Sequence, residues 1–176
     1  MSDDPRYPVG PYVKPPSVSP AEREGYVNEI ASTPARLREA VRGLTDAQLN
    51  TPYRDGGWTV RQVVHHFPDS HVNAYIRFKL ALTEDDPLIH TYEESLWAEL
   101  PEAKSAPPGV SLDLLEAVHN RWVAAIRSLP PASFERRYRH PDLGLTTLNE
   151  QLAHYAWHCR HHVAHITALR RRMGWK

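Results

Sequence analysis

Three observations predict an all-α protein, a four-helix bundle preceded by a proline-rich N-terminal arm. The chain carries four long stretches with apolar residues at helical spacing, helix-start signatures ahead of them, and no convincing strand alternation. Its 176 residues suffice for one domain with a sizeable core. The expected division is an extended arm over residues 1–18 and a single bundle domain over residues 19–176.

Residues 1–18 hold five prolines (Pro5, Pro8, Pro11, Pro15 and Pro16) and no helical period, as suits an extended arm lying across the domain or a neighbouring subunit. Ser19-Pro20-Ala21-Glu22 is a helix start: a Ser cap, Pro at the first position, and Glu three residues after the cap. That helix is predicted to reach about Gly43, with Pro34 bending or interrupting it. Thr45-Asp46-Ala47-Gln48 is a second capping box, opening a short turn of helix. Thr59-Val60-Arg61-Gln62 opens the second long helix, with a bend expected at Pro68. Residues 84–110 read as loop, with a short helix capped at Thr91-Tyr92-Glu93-Glu94. The third long helix is expected from Ser111, its Leu115, Val118, Trp122, Ile126 and Leu129 keeping a three-to-four spacing up to Pro130-Pro131. Thr147-Leu148-Asn149-Glu150 opens the fourth, which should run to about Arg172. A weak internal repeat relates Arg36-Leu37 through Tyr53-Arg54 to Arg121-Trp122 through Tyr138-Arg139, making the second and fourth helices equivalent in the bundle.

Composition excludes several function classes. Lys+Arg and Asp+Glu balance at 21 each, so nothing argues for nucleic acid or an anionic membrane surface. No apolar run approaches the length of a membrane span. The acidic start Met1-Ser2-Asp3-Asp4 lacks the basic-then-apolar pattern of a signal peptide, which predicts a cytoplasmic protein. A lone cysteine, Cys159, rules out an intrachain disulfide framework.

Histidine is the unusual residue. Five of the chain's 11 histidines fall within residues 154–165. At about 100° per residue, with His158 at zero, His162 lies near +40°, His165 near −20°, His154 near −40° and His161 near −60°. All five share one helix face, where a bundle helix would carry Leu and Val. A divalent metal ion is the simplest reason, because two histidines four apart on a helix can share one ion. His154/His158, His158/His162 and His161/His165 all have that spacing, and spacing does not choose among them. A third ligand must come from elsewhere, His65 or His66 being nearest by the repeat. Three neutral imidazoles leave a coordination position for water or a substrate thiolate, and Zn2+ and Ni2+ both suit them. A closed structural site would need a fourth side chain, and mere packing explains five histidines in twelve residues poorly. For His71, His90, His119 and His140 the expectation is exposed or hydrogen-bonded structure without function. Cys159, near +100° on the flank of the stripe, reads as a buried, inert thiol. His165, Asp69, Tyr53 and Arg77 are pocket candidates, none of them singled out as a general base.

Trp58-Thr59-Val60-Arg61-Gln62-Val63-Val64-His65-His66 resembles the helix-2 motif of the DinB-like superfamily, in which a Trp precedes a metal-binding His by eight residues. His158-Cys159-Arg160-His161-His162-Val163-Ala164-His165-Ile166 resembles its helix-4 motif. Tyr7-Pro8-Val9-Gly10, Thr51-Pro52-Tyr53-Arg54-Asp55-Gly56-Gly57-Trp58, Tyr75-Ile76-Arg77-Phe78-Lys79-Leu80 and Arg172-Met173-Gly174-Trp175 are similar to the YfiT branch, so the likeness spans nearly the whole chain. The resemblance implies a four-helix bundle, a homodimer and one divalent ion per subunit, Zn2+ or Ni2+. Carried over by position, the ligands are His66, His158 and His162. Where many relatives have Gln three residues after the last ligand, this chain has His165, which points to a supporting role or an alternative ligand there. The implied activity is that of a metal-dependent hydrolase of small molecules. The alternatives are a thiol S-transferase of the bacillithiol type, acting on small electrophiles, and a non-enzymatic metal-binding module.

Overall fold

The computed structural model describes residues 4–175. Four long helices form the bundle: α1 (Pro20–Val41), α3 (Val60–Thr83), α6 (Pro108–Arg127) and α7 (Leu148–Met173). Three short ones, α2 (Asp46–Leu49), α4 (Glu94–Trp97) and α5 (Pro101–Ser105), lie in the connections, with a 3-10 turn at Pro131–Glu135.

The helix starts follow from side-chain chemistry. Ser19, Thr45, Thr59 and Thr147 each accept from the backbone N–H three residues on, and the Glu or Gln at that position reaches back, completing four capping boxes. Each cap is worth about 1 kcal/mol. Thr91 does not cap in this way; α4 begins at Glu94 without a side-chain cap. The third long helix starts at Pro108, three residues before Ser111, because proline fits a first turn that has no use for its missing N–H. Gly174 ends α7 in the left-handed conformation, at φ 65°, that glycine adopts without strain.

Two further points differ from the pattern in the sequence. Strands β1 (Arg137–His140) and β2 (Gly144–Thr147) pair antiparallel from Arg137↔Thr147 to His140↔Gly144. Four residues each, with only Tyr138 buried, are too short for alternation to register. And α1 and α3 run unbroken through Pro34 and Pro68. At Pro34 the carbonyl left without a helical partner is that of Ile30, and His119 Nδ1 lies 2.7 Å from it.

The neighbours in the bundle are α1 with α7, α3 with α6, α1 with α6 and α3 with α7. Of the long helices that follow each other in the chain, α1 and α3, and α6 and α7, therefore sit diagonally across the bundle, while α3 and α6 pack side by side. Exchanging α1 with α6 and α3 with α7 leaves the set of neighbours unchanged, in keeping with the internal repeat. The helices equivalent under that exchange, α3 and α7, pack directly on each other.

The apolar core is split along the bundle axis. One half gathers Ile30, Phe78, Trp122, Leu152 and Cys159. The other gathers Leu37, Val63, Phe67, Leu115 and Ile166. Between them every long helix is polar or proline-bearing: Thr33-Pro34 on α1, His66 and His71 on α3, His119 on α6, and His158 with His162 on α7. Fully burying a Leu or Phe side chain stabilises by roughly 2 kcal/mol, so the two apolar halves hold this histidine layer in place.

Candidate metal centre

The loop before α3 closes one wall. Thr51 O accepts from Val60 N–H and Trp58 O from Tyr53 N–H, folding residues 51–60 into a tight turn. Gly57 permits it, since a Cβ there would lie 2.7 Å from Arg54 Cγ. The turn sets Trp58 with its ring centroid 4.8 Å from that of His66, and stacks Tyr53 on His165 at 4.0 Å.

The arm covers the outer flank. Trp157 Nε1 donates to Gly10 O at 3.0 Å, His165 Nε2 to Arg6 O at 3.2 Å, and Lys14 pairs with Glu150 at 2.9 Å. Tyr12 packs on His154 with ring centroids 4.8 Å apart. The arm thus runs antiparallel to α7, across its own domain, with arm residues 6, 10, 12 and 14 meeting helix positions 165, 157, 154 and 150 in turn. Met1–Asp3 lie outside the described residues.

His66, His158 and His162 converge from α3 and α7, all buried, with one potential ligand atom from each lying within 4.8 Å of the others. His66 Nε2 and His158 Nε2 are 3.2 Å apart. Two nitrogens each ~2.0–2.1 Å from a tetrahedral ion lie ~3.3 Å apart, so this spacing fits a shared ion. Burial, followed by the neighbouring His165, lowers the His66 pKa to about 4. Burial, then adjacent imidazoles, pushes His158 and His162 well below the usual histidine value. Neutral imidazole is the ligating form, so the donor set matches the group it would hold.

The other histidines separate by partner. His65 turns away from the centre: its Nδ1 accepts from Ser111 Oγ at 2.7 Å and its Nε2 donates to Ala106 O at 3.1 Å, pinning α5 and α6 to α3. His161, His162 and His165 form a second group close enough for an ion, sharing His162 with the first. His161 stacks on Trp157 at 4.3 Å, and its Nδ1 is buried without a hydrogen-bond partner. His154 lies 6.4 Å, ring to ring, from His158. Cys159 is buried, its thiol pushed up to about 12 by burial, as an inert core group. His90 is exposed and His140 half-buried.

Sequence spacing gave no sign of His71 and His119. Both are fully buried and bonded to each other at 2.8 Å, and His71 Nε2 lies 3.1 Å from His158 Nδ1. The one hint in the chain is Pro34, which strands a buried carbonyl that some donor has to satisfy.

Above the three histidines opens a cavity of about 560 Å³, lined by Trp58, Arg77, Tyr92, Tyr155 and His140 among others. Arg77 is buried; its Nη2 donates to His90 O at 2.9 Å while its Nε has no partner. Among the described residues no carboxylate pairs with it. Of the other pocket candidates, Tyr53 and His165 line the cavity and Asp69 does not.

A four-helix bundle with a buried three-histidine cluster at the floor of an open cavity is the architecture of a metal-competent binding protein or enzyme. The sequence matches the DinB superfamily over residues 29–166, and the chain belongs to that family. YfiT of Bacillus subtilis (strain 168), named as a candidate metal-dependent hydrolase, is 51% identical over 170 residues, covering 96% of each chain. A relative of the same description from Bacillus mycoides (strain KBAB4) is 49% identical, covering 98% of this chain and 99% of its own. The solved structure of YfiT, described as having an unusual four-helix bundle topology, matches with a TM-score of 0.95 over 98% of this chain and 99% of that one, at 50% identity. TT2238, a four-helix bundle protein, shares the fold alone, with a TM-score of 0.55 at 19% identity over 85% of this chain and 98% of that one. Among the described residues no helix is long and apolar enough to cross a membrane.

Proposed function

We propose that this protein is a metal-dependent hydrolase of small molecules, holding one divalent ion on His66, His158 and His162. The observation that carries the reading is the convergence of three buried, neutral imidazoles from α3 and α7 at the base of a cavity large enough for a small substrate. An ion held by these three imidazoles would act as a Lewis acid, making a water or thiol brought to it in the cavity more acidic. The His161/His162/His165 group is the weaker candidate, because all its members come from one helix and His165 already donates to the arm.

The residues around the ion have separate tasks. Trp58 and Phe67 pack against the ligand rings and keep bulk water from their edges. Arg77 offers a buried cation with which, among the described residues, no carboxylate pairs directly, and this favours a substrate carrying an anionic group. On the same reading the chain assembles as a homodimer, checked by analytical ultracentrifugation.

The deciding experiment loads the protein with Zn2+ or Ni2+ and screens ester and amide substrates beside low-molecular-weight thiols paired with electrophiles. Hydrolysis that disappears in a folded His158→Ala variant supports the proposal. Thiol consumption without hydrolysis assigns S-transfer instead, and stoichiometric metal without turnover in either arm assigns a binding module.

A further inference from the structure

An unbroken file of imidazoles crosses the bundle and touches all four long helices. Ile30 O on α1 has no helical N–H to accept, because residue 34 is proline. His119 Nδ1 on α6 lies 2.7 Å from that oxygen, and His119 Nε2 lies 2.8 Å from His71 Nδ1 on α3. His71 Nε2 lies 3.1 Å from His158 Nδ1 on α7, whose Nε2 faces His66.

The direction of every bond in the file follows from its first atom. A carbonyl oxygen only accepts, so His119 donates from Nδ1. A neutral imidazole carries one N–H, so His119 accepts at Nε2 and His71 must donate from Nδ1. His71 therefore accepts at Nε2, and the donor to it is His158 Nδ1–H. What remains on His158 is a bare Nε2 lone pair, aimed at the metal position. The rings stay neutral because His71 and His119 are at most 1% exposed and, among the described residues, no carboxylate pairs with either. Phe67, Trp122 and Tyr155 surround His71 edge-on or tilted, leaving no room for water to take over a bond.

We propose that His71 and His119 are positioning residues which, with the Ile30 carbonyl freed by Pro34, lock His158 as its Nδ1–H tautomer and present Nε2 to the ion. The inference rests on His66, His158 and His162 being the metal site. A shorter file does the same for the other α7 ligand. His165 Nε2 donates to Arg6 O at 3.2 Å, and its Nδ1 faces His162 Nδ1 at 3.4 Å, which puts the His162 proton on Nδ1. A backbone carbonyl supplies the reference in each file, that of the buried Ile30 in the first and that of Arg6 on the arm in the second, so the protonation pattern of His158 and His162 is set before any ion arrives. Second-layer partners of this kind change metal affinity by about 10- to 100-fold.

Two measurements test it. Long-range 1H–15N spectra of the 15N-labelled, metal-free wild type at neutral pH should place the proton on Nδ1 in His119, His71 and His158. A proton on Nε2 of His71 or His158 overturns the proposal. In chelator competition with Zn2+, His71→Phe should weaken binding about 10- to 100-fold in protein that circular dichroism shows to be folded. His119→Gln, whose carbonyl oxygen can accept in place of Nε2, should keep more affinity than His119→Leu. Unchanged Zn2+ affinity in folded His71→Phe overturns the relay, and if the variants unfold, the wild-type spectrum alone decides. Wild-type protein that binds no Zn2+ refutes the metal site itself; a wrong tautomer in protein that does bind it refutes only the relay.

Discussion

His65 and His66 are adjacent on one helix and face opposite surroundings, so alanine at each separates the proposed metal site from the scaffold. His66 contributes Nε2 to the cluster and is packed between Trp58 and His162, each with its ring centroid 4.8 Å away. Its removal opens space beside the cavity that water can fill, so the cost to the metal-free fold stays near or below about 1 kcal/mol. Zinc binding of roughly 10–16 kcal/mol at a four-ligand site averages ~3 kcal/mol per ligand, so His66→Ala should weaken Zn2+ at least about 100-fold. His65 instead bonds the buried Ser111 Oγ and the half-buried Ala106 O. His65→Ala leaves the Ser111 hydroxyl without its partner, while Ala106 O keeps Arg61 Nη1 at 2.9 Å, and should cost about 1–3 kcal/mol of stability with little change in metal affinity. Urea melts of the chelated proteins and Zn2+ competition titrations measure the two quantities independently. Equal Zn2+ affinity in His66→Ala and wild type, or an affinity loss confined to His65→Ala, would refute the assignment of the third ligand.

Three further outcomes follow from the same chemistry. The metal-free protein should lose stability as pH falls from 6.5 toward 4, because burial lowers His66, His119, His154 and His165 to about 4 while the unfolded chain protonates near 6.5. Stability is complete above 6.5 and should drop by on the order of 2 kcal/mol per fully buried imidazole by pH 5; urea melts showing equal or greater stability at pH 5 contradict this. Cys159 should resist thiol reagents in the native protein and react only as fast as the protein unfolds, since its thiol is buried and held near 12; rapid labelling of folded protein refutes its core position. Thr147→Ala removes the cap of α7 and should cost about 1 kcal/mol, seen as a fall of about 2–4 °C in Tm, with Zn2+ affinity little changed because His158 and His162 lie three and four turns further on.

Local chemistry was enough to read most of the frame from the chain. Four capping boxes depend on residues three apart and mark their helix starts whatever the rest of the protein does. The histidine stripe was legible for the same reason, since the helical period alone puts residues 154–165 on one face. The hairpin at 137–147 was not, because four-residue strands carry too little alternation. The start of α6 was misplaced because Pro107-Pro108-Gly109 looks the same as a loop and as a proline-led first turn.

Sequence by itself therefore determined the helices, the family and the kind of donor at the centre. Helical spacing left His65 and His66 open and the family resemblance pointed to His66; tertiary structure brings His66 to His158 and His162 and turns His65 away, because consecutive residues on a helix point about 100° apart and only one of them can face α7. It also decided that His71, His119 and Ile30, far apart in the chain, stand in one file behind His158. Periodicity describes one helix at a time, whereas a buried hydrogen bond between helices depends on how they pack, and only the folded bundle fixes that.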